Sequence, residues 1–391
     1  MNMKYKKYLL IISALLFLFF VMAILGQGTF MKENYLDPWN TKYHQNFEDD
    51  RIKIIAHAIL APNAHNMQSW KIILDKENKN KFSLFLEDTR LLPQTDIDHR
   101  QSIISQGTFL SLVNIASNKL GYEAKILIYP KGELPNSPSV FEIQNIPTAE
   151  IELIKSNESE NPLYSAIFDR VTTRTDYLEK PLKQEQVDAI LKLNNNPDIE
   201  VLVFQDSEDL KFLKELAISG VEIESNLEKT MNESSVVMRY SEYQKNKYRY
   251  GLTLSSQGFP KFKEFFFESY SSIFGSDMKL ESSVWRESET KRIQKTPAYF
   301  LIISKDNSRT TQVKVGMLYA EIQLIGTVLS LSMQPTMQIT QEYEEMSALY
   351  NEVHKKFADN GRTVQMLFRV GEAEKQVKHS PRKDVLDFIF N

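Results

Sequence analysis

Three short stretches concentrate side chains able to bind or transfer something. The first is Ala61-Pro62-Asn63-Ala64-His65-Asn66-Met67-Gln68-Ser69-Trp70. Asn66 and Gln68 each carry a donor and an acceptor, the alternation that the edge of a uracil-like heterocycle requires. A polar turn with capping amides is the competing account of the same residues. The second is Asp169-Arg170-Val171-Thr172-Thr173-Arg174-Thr175-Asp176-Tyr177. Guanidinium groups offer planar, paired donors to a phosphate dianion, and threonine hydroxyls fill the remaining positions. The alternative is a surface patch in which Arg170 and Arg174 pair with Asp169 and Asp176. The third is Arg369-Val370-Gly371-Glu372-Ala373 followed by Ser380-Pro381-Arg382-Lys383-Asp384, a strand end and then a basic pair that is either a ligand grip or solvated charge. A charged loop from Asp88 to Arg100, with Asp96 and Asp98, offers carboxylates for acid–base work. Without a metal or a matching nucleophile, a structural loop that seats the following helix is the favoured reading.

These groups need elements to hold them. Arg51 to Leu60 reads as a short amphipathic helix that Pro62 breaks. Lys71 to Leu74 and Phe82 to Glu87 read as strands, Arg100 to Leu120 as a long helix stopped by Gly121, and Glu123 to Tyr129 as a strand. Val140 to Ile146 is expected to be another strand. Further on, helices are expected at 162–169 and 183–193, a strand at 199–204, and a polar, mainly helical stretch over 207–292, broken at Gly251, Gly258-Phe259-Pro260 and Gly275. A strand at 298–304, a long helix at 311–331, a short strand near 336–339, a helix at 342–357 and a strand at 363–370 follow. The series strand, helix with an early glycine (Gly107 or Gly316), strand occurs twice. Either a duplicated unit packed as a pseudo-dimer or a chance likeness of two amphipathic helices explains it.

A chain of 391 residues is long enough for about two units of ordinary size. A formal net charge of -4 gives no general electrostatic basis for binding nucleic acid. The absence of cysteine removes disulfides, iron–sulfur clusters, thiolate zinc sites, cysteine nucleophiles and lipidation at cysteine together. The six histidines are scattered and form no metal-binding pair, so no metal is expected.

Lys4, Lys6 and Lys7 precede an apolar run from Tyr8 to Leu25. Eighteen helical residues span roughly 27 Å, close to the thickness of a bilayer's hydrocarbon core. The run is long and lacks a small-residue cleavage pattern, which favours an uncleaved signal anchor over 1–29 above a cleaved signal peptide. The leading lysines bias the N-terminus to the cytoplasm and the body to the extracytoplasmic side.

Taken in order, four blocks resemble the nitroreductase superfamily of FMN proteins, and in particular its Acg-like branch of tandem nitroreductase-like halves. They are A-P-x-x-H-N-x-Q-x-W at 61–70, D-T-R-L-L-P-x-T-D-x-x-x-R at 88–100, R-x-T-T-R-T-D-Y at 170–177, and R-V-G-E-A with S-P-R-K at 369–383. The resemblance covers approximately residues 50–390. It implies an α+β fold with a first half over 50–155 and a second over 160–391, forming a pseudo-dimer within one monomer and holding one FMN between them. It implies that Pro62, Asn63, His65, Asn66 and Gln68 face the isoalloxazine, and that Arg170, Thr172, Arg174, Arg382 and Lys383 hold ribityl and phosphate. The implied activity is hydride or electron transfer through flavin to a small aromatic or quinone-like acceptor, with NAD(P)H or a membrane donor as reductant. The implied lid, residues 230–290, contains Phe259, Phe262, Phe265, Phe266 and Phe267, an aromatic run that also suits a plain core. Asn63, Ser69 and Ser330 depart from the family's usual serine, proline and glycine. A flavin-sequestering protein without turnover, and a membrane-tethered interaction protein that has lost flavin, remain alternatives.

Overall fold

A computed structural model of the chain describes residues 3–259, 261–275 and 277–390. The predicted anchor begins at Met1 and Asn2, one predicted break includes Pro260, and the second half ends at Asn391; these residues lie outside the described ones. The anchor region is one helix, α1 (Met3–Gln27), because nothing between Tyr8 and Leu25 interrupts its backbone hydrogen bonds. The most apolar 18-residue window within Tyr5–Gln27 has a mean hydropathy of 3.0 and is almost wholly exposed. The helix is therefore long and apolar enough to cross a membrane.

The body is α+β. Helix α2 (Asp50–Ala58) starts where the Asp49 carboxylate accepts a hydrogen bond from Arg51 N at 2.9 Å. Strands β1 (Trp70–Leu74) and β2 (Lys81–Leu86) form an antiparallel pair with Trp70 opposite Leu86 and Ile72 opposite Leu84. The long helix α3 (Arg100–Lys119) follows, then β3 (Tyr122–Ile128), α4 (Val140–Asn145) and β4 (Ala149–Lys155). The expected strand at 140–146 is thus a helix. Ser139 and Glu142 form a capping box there, satisfying backbone donors that a strand would have left to a neighbour. The strand is instead 149–155, whose alternating burial marks one inward face.

After α5 (Ala166–Asp169) and α6 (Gln184–Leu191) comes β5 (Ile199–Gln205). A largely helical insertion follows: α7 (Glu208–Asn226), α8 (Glu228–Val236), β6 (Met238–Arg239), α9 (Glu242–Tyr248), β7 (Leu252–Thr253), α10 (Lys261–Phe274) and α11 (Met278–Gln294). The chain closes with β8 (Ala298–Ser304), α12 (Arg309–Val328), β9 (Ser332–Pro335), α13 (Ser347–Phe357), β10 (Thr363–Gly371) and β11 (Ile389–Phe390). The expected strand near 336–339 lies earlier, at 332–335, and a single-turn helix at Gln338–Thr340 replaces it. The helix expected from 342 starts at 347, and the one expected over 162–169 is the single turn at 166–169.

The first sheet has the order β11-β1-β2-β4-β3 and the second β5-β8-β10-β9. Leaving aside β11, which adds in parallel to the edge of β1, both sheets are antiparallel and share one order, first-second-fourth-third. A long helix joins the second strand to the third in each. Strand β8 is buried along its whole length because its two faces feed different cores. Phe300 and Ile302 face one cluster, while Tyr299, Leu301 and Ile303 face another.

The two long helices meet at glycine. A Cβ on Gly107 would stand 1.9 Å from Val313 O and 3.0 Å from Gly316 Cα; one on Gly316 would stand 1.9 Å from Ile104 O and 3.0 Å from Gly107 Cα. Each glycine thus lies under the carbonyl three residues before its counterpart. The turns that end these helices are alike too, with Gly121 at φ 77° and Ser330 at φ 58°, so the serine accepts the left-handed conformation for which glycine is the unstrained choice.

Candidate functional site

The loop between α2 and β1 is strained. His65, Asn66 and Gln68 have φ of 47°, 55° and 53°, conformations that cost on the order of 1 kcal/mol or more each and persist only when surroundings fix them. The fixing contacts are specific. Gln68 N donates to Asn63 Oδ1 at 2.8 Å, Ala64 N to Ser105 Oγ at 3.1 Å, and Thr108 Oγ1 to Pro62 O at 2.6 Å. Asn66 Nδ2 donates to Gly251 O (3.0 Å) and Pro381 O (2.9 Å). Gln68 Nε2 donates to Arg249 O (2.9 Å) and Pro381 O (3.2 Å), while its Oε1 accepts from Lys383 N (3.1 Å). The two amides therefore bind the loop to the insertion and to the C-terminal segment.

Above this loop lies a cluster of guanidinium groups. Arg170 donates to Gln323 Oε1 (2.9 Å) and Leu60 O (3.1 Å), and its buried Nε has no partner. Arg382 donates to Asn66 Oδ1, to Ser380 Oγ (2.8 Å) and to Ala61 O (3.1 Å), and its buried Nε is also unpartnered. Arg174 makes one long bond among the described residues, 3.5 Å, to Ser256 O. Among the described residues, none of the three forms an ion pair with a carboxylate: Asp176 is taken by Lys291 and Lys295, both at 3.0 Å. The salt-bridge alternative for this motif is not what the structure contains. Arg170 and Arg382 both lie over the Trp39 indole, 5.5 and 4.9 Å from its centroid. Burial, and then the charge of Arg170, pushes the Arg382 guanidinium well below its usual range; burial brings Arg170 down to about 10. His379, stacked on Trp39, is lowered to about 4 by burial and then by both arginines. A cavity of about 40 Å³ opens among these groups, with Trp39, Arg170, Thr172, Arg174, Ser380 and Arg382 on its walls.

A larger cavity of about 240 Å³ adjoins it, and Pro62, Asn63, Thr172, Arg174 and Leu252 line both. His65 lines the larger one, with its imidazole held neutral (lowered to about 4) by burial and then by Arg174. Ile104, Ser105 and Tyr319 come from the crossed helices α3 and α12. The insertion supplies the cover, including Met231, Phe259, Phe267 and Trp285. Of the expected aromatic lid, Phe259 and Phe267 face the cavity, Phe265 packs on α1, and Phe262 and Phe266 are exposed.

Eight of the ten residues expected at a cofactor thus converge: Pro62, Asn63, His65, Asn66, Arg170, Thr172, Arg174 and Arg382 each line a cavity. Gln68 and Lys383 line neither. Lys383 Nζ is 4.0 Å from Asp387 and lies over Phe388. The Asp88–Arg100 block is structural: Asp96 caps α3 through Gln101 N and Ser102 N, both at 2.9 Å, and buried Arg100 reaches Glu342 at 2.8 Å and Gln365 O at 2.7 Å. It ties α3 to the second sheet's side of the body, while α3 also packs on the preceding helix α2 through a core shared by Ile54, Ala58, Phe109 and Val113.

Sequence reasoning missed the acidic wall. Glu224 lines the larger cavity, and burial raises its carboxyl to about 7. Glu289 is held by Arg292 (2.7 Å) and Gln334 (2.6 Å). Both lie in the stretch read only as covering helices, with no motif spacing to distinguish them. Among the described residues, no cluster of three or more His, Asp or Glu could hold a metal ion.

No protein-family model matches the chain. Two uncharacterized proteins from strains of Mycobacterium tuberculosis are each 31% identical over 90 residues, 23% of this chain; the chain spans 26% of their length. Among solved structures, an FMN-dependent nitroreductase from Mycobacterium smegmatis in complex with NADPH is 13% identical, covering 58% of this chain and 96% of its own, with a TM-score of 0.37. A nitroreductase with bound FMN from Desulfitobacterium hafniense is 14% identical over 58% of this chain and 97% of its own, with a TM-score of 0.33.

Proposed function

We propose that this chain is a membrane-anchored FMN protein of nitroreductase type, an oxidoreductase built from two nitroreductase-like halves that hold one FMN between them. The observation that carries the reading is the guanidinium cluster, in which Arg170 and Arg382 are buried and Arg174 is partly so. Arg170, Arg174 and Arg382 have no carboxylate partner among the described residues and open, through a shared wall, onto a larger cavity. Buried charge without a counter-charge is costly, and a phosphate dianion supplies what the cluster lacks. The unpartnered Nε atoms of Arg170 and Arg382 fit that role. Thr172 and Arg174 lie at the junction, and Pro62, Asn63 and His65 would meet the ring system. Gln68 and Lys383 are assigned to holding the loop. The shared strand order and the reciprocal glycine crossing support the two-half arrangement, in which the body acts as its own dimer.

The chemistry that FMN supplies when bound is electron-pair transfer between a donor and a small aromatic or quinone-like acceptor. The chain's own part is to bind, to exclude water beneath the insertion, and to hold a proton. Glu224 is the group suited to that last task, because a carboxyl raised to about 7 is half protonated near neutral pH. Helix α1 is assigned as a single transmembrane anchor, with the body on the extracytoplasmic side. Nicotinamide donors are scarce there, which favours a membrane donor, and leaves a second reading in which flavin is bound beneath the insertion without turnover.

The test is the absorption spectrum of the full-length protein, purified in detergent, with identification of any chromophore released on heating. FMN near one per chain supports the site. Folded protein that is colourless and takes up no added FMN refutes it. Bleaching of bound flavin by a nicotinamide or quinol donor separates turnover from sequestration.

A further inference from the structure

Helix α10 carries aromatic side chains on two sides with different surroundings. Phe262, Phe266, Tyr270 and Phe274 recur every fourth residue, so they form one stripe, about 18 Å long. They are exposed by 72%, 52%, 43% and 66%. Elsewhere on the helix, Phe267 lines the larger cavity, Glu268 reaches the buried Lys245 at 2.8 Å, and Ser269 meets α1. The stripe is therefore not a core face lacking a neighbour of its own chain; α10 already has one on its other side.

The contact with α1 fixes where the stripe lies. Phe20 and Phe265 pack with centroids 5.7 Å apart, and Gln27 Nε2 donates to Phe265 O at 2.9 Å and Ser269 Oγ at 2.5 Å. Phe20 lies five residues inside Leu25, the last residue of the apolar run, which is about 7.5 Å along the helix axis. Amphipathic helices at bilayer surfaces sit about 5–10 Å into the boundary between headgroups and acyl chains. Phe30 is 84% exposed just past the span, and the ring of Tyr243 lies against Gly28, so further aromatic groups gather at the level where such rings anchor proteins to membranes.

We propose that α10 is an interfacial helix, its aromatic stripe seated in the boundary of the bilayer that α1 spans. The proposal rests on the reading of α1 as a membrane span and not on flavin binding. It places the cover of the cavity, at Phe267, directly beneath lipid.

The chain lacks cysteine, so single positions can be labelled. Four full-length variants, Phe266→Cys, Tyr270→Cys, Leu15→Cys within α1 and Lys192→Cys on the exposed end of α6, carry an environment-sensitive fluorophore in phosphatidylcholine vesicles. Quenching by nitroxide on the acyl chains is compared with quenching by aqueous iodide. Labels at 266 and 270 are expected to be quenched by lipid nitroxide several-fold more than the label at 192, and protected from iodide. Labels at 266 and 270 that respond to iodide as 192 does, while 15 lies in lipid, overturn the proposal alone. A label at 15 that lies in water overturns the span and the proposal with it. Two positions guard against one variant failing to fold.

Discussion

Arg174→Met should change stability in opposite directions with and without ligand. Arg174 sits where the two cavities join and, among the described residues, makes one hydrogen bond, at 3.5 Å. The carboxylate whose charge acts on it, Glu289, is already held by Arg292 and Gln334. Without an anion, the guanidinium is a poorly paired charge, and its usual range is lowered by burial. Replacing a buried ion pair by apolar groups of similar volume is often neutral or stabilising by about 1–4 kcal/mol, and a poorly paired, partly buried cation lies toward the lower part of that range. The bond lost is worth less than about 1 kcal/mol at this length. A net gain of about 1–2 kcal/mol follows, which raises the unfolding temperature of the unliganded protein by a few degrees. With FMN the sign reverses. A charge-assisted bond to phosphate contributes about 1.5–3 kcal/mol; added to the gain of the unliganded protein, the loss in binding is about 2.5–5 kcal/mol, so affinity should fall by about 100- to 1,000-fold or more. Thermal unfolding of full-length protein, with and without excess FMN, measures both, and a flavin-fluorescence titration gives the affinity directly. A variant that is less stable when unliganded and binds FMN as the parent does would show that Arg174 is a structural cation, and the phosphate assignment would fall with it.

The remaining predictions concern packing, pH and the loop. Gly107→Ala or Gly316→Ala places a methyl group 1.9 Å from a facing backbone carbonyl, so the crossed helices must separate; a loss of about 1–3 kcal/mol or more is expected in the denaturant midpoint. Glu224 is raised from 4.5 to about 7, so its folded carboxyl favours the neutral form. Its contribution is complete below about pH 4.5 and is lost as pH rises through about 7, a change of roughly 3 kcal/mol. Glu224→Gln should flatten that part of the stability-versus-pH curve; an unchanged slope would assign it to other groups, such as Glu268, which is raised to about 7 by burial. Asn66→Ala removes donors to Gly251 and Pro381 and an acceptor for Arg382, and should increase amide hydrogen exchange around 249–253 and 380–383 together.

Much of this architecture is legible in the residues. The long helices α3 and α12 and strands β8 and β10 follow from apolar pattern and length, and the pair Arg170 and Arg174 from their spacing, whereas the joining of Arg382 to them is implied only by the family resemblance. Failures have local causes. At 140–145 the apolar residues Val140, Phe141 and Ile143 resemble a strand, but the Ser139–Glu142 box decides for a helix. Strand β4 carries a two-residue apolar alternation in A-E-I-E-L-I-K, the pattern of a half-buried strand. Asn66 and Gln68 were legible as important amides but not as internal struts, because their acceptors, Gly251, Arg249 and Pro381, lie about 180 and 310 residues away in the chain. Glu224 and Glu289 were invisible for the same reason: their chemistry arises from what the insertion covers, and no spacing encodes that.

The glycine crossing has a genetic consequence. Where identical chains associate about an axis, every mutation enters both sides at once, and a change must suit both surroundings. Here Gly107 and Gly316 are separate codons, although each presses against the carbonyl three residues before the other. The two flanks of the crossing are thus free to diverge one substitution at a time. In the two-half arrangement proposed above, one flank would carry the strained loop at 63–68 and the other Arg170 and Arg174, and neither would have to carry the other's residues in duplicate.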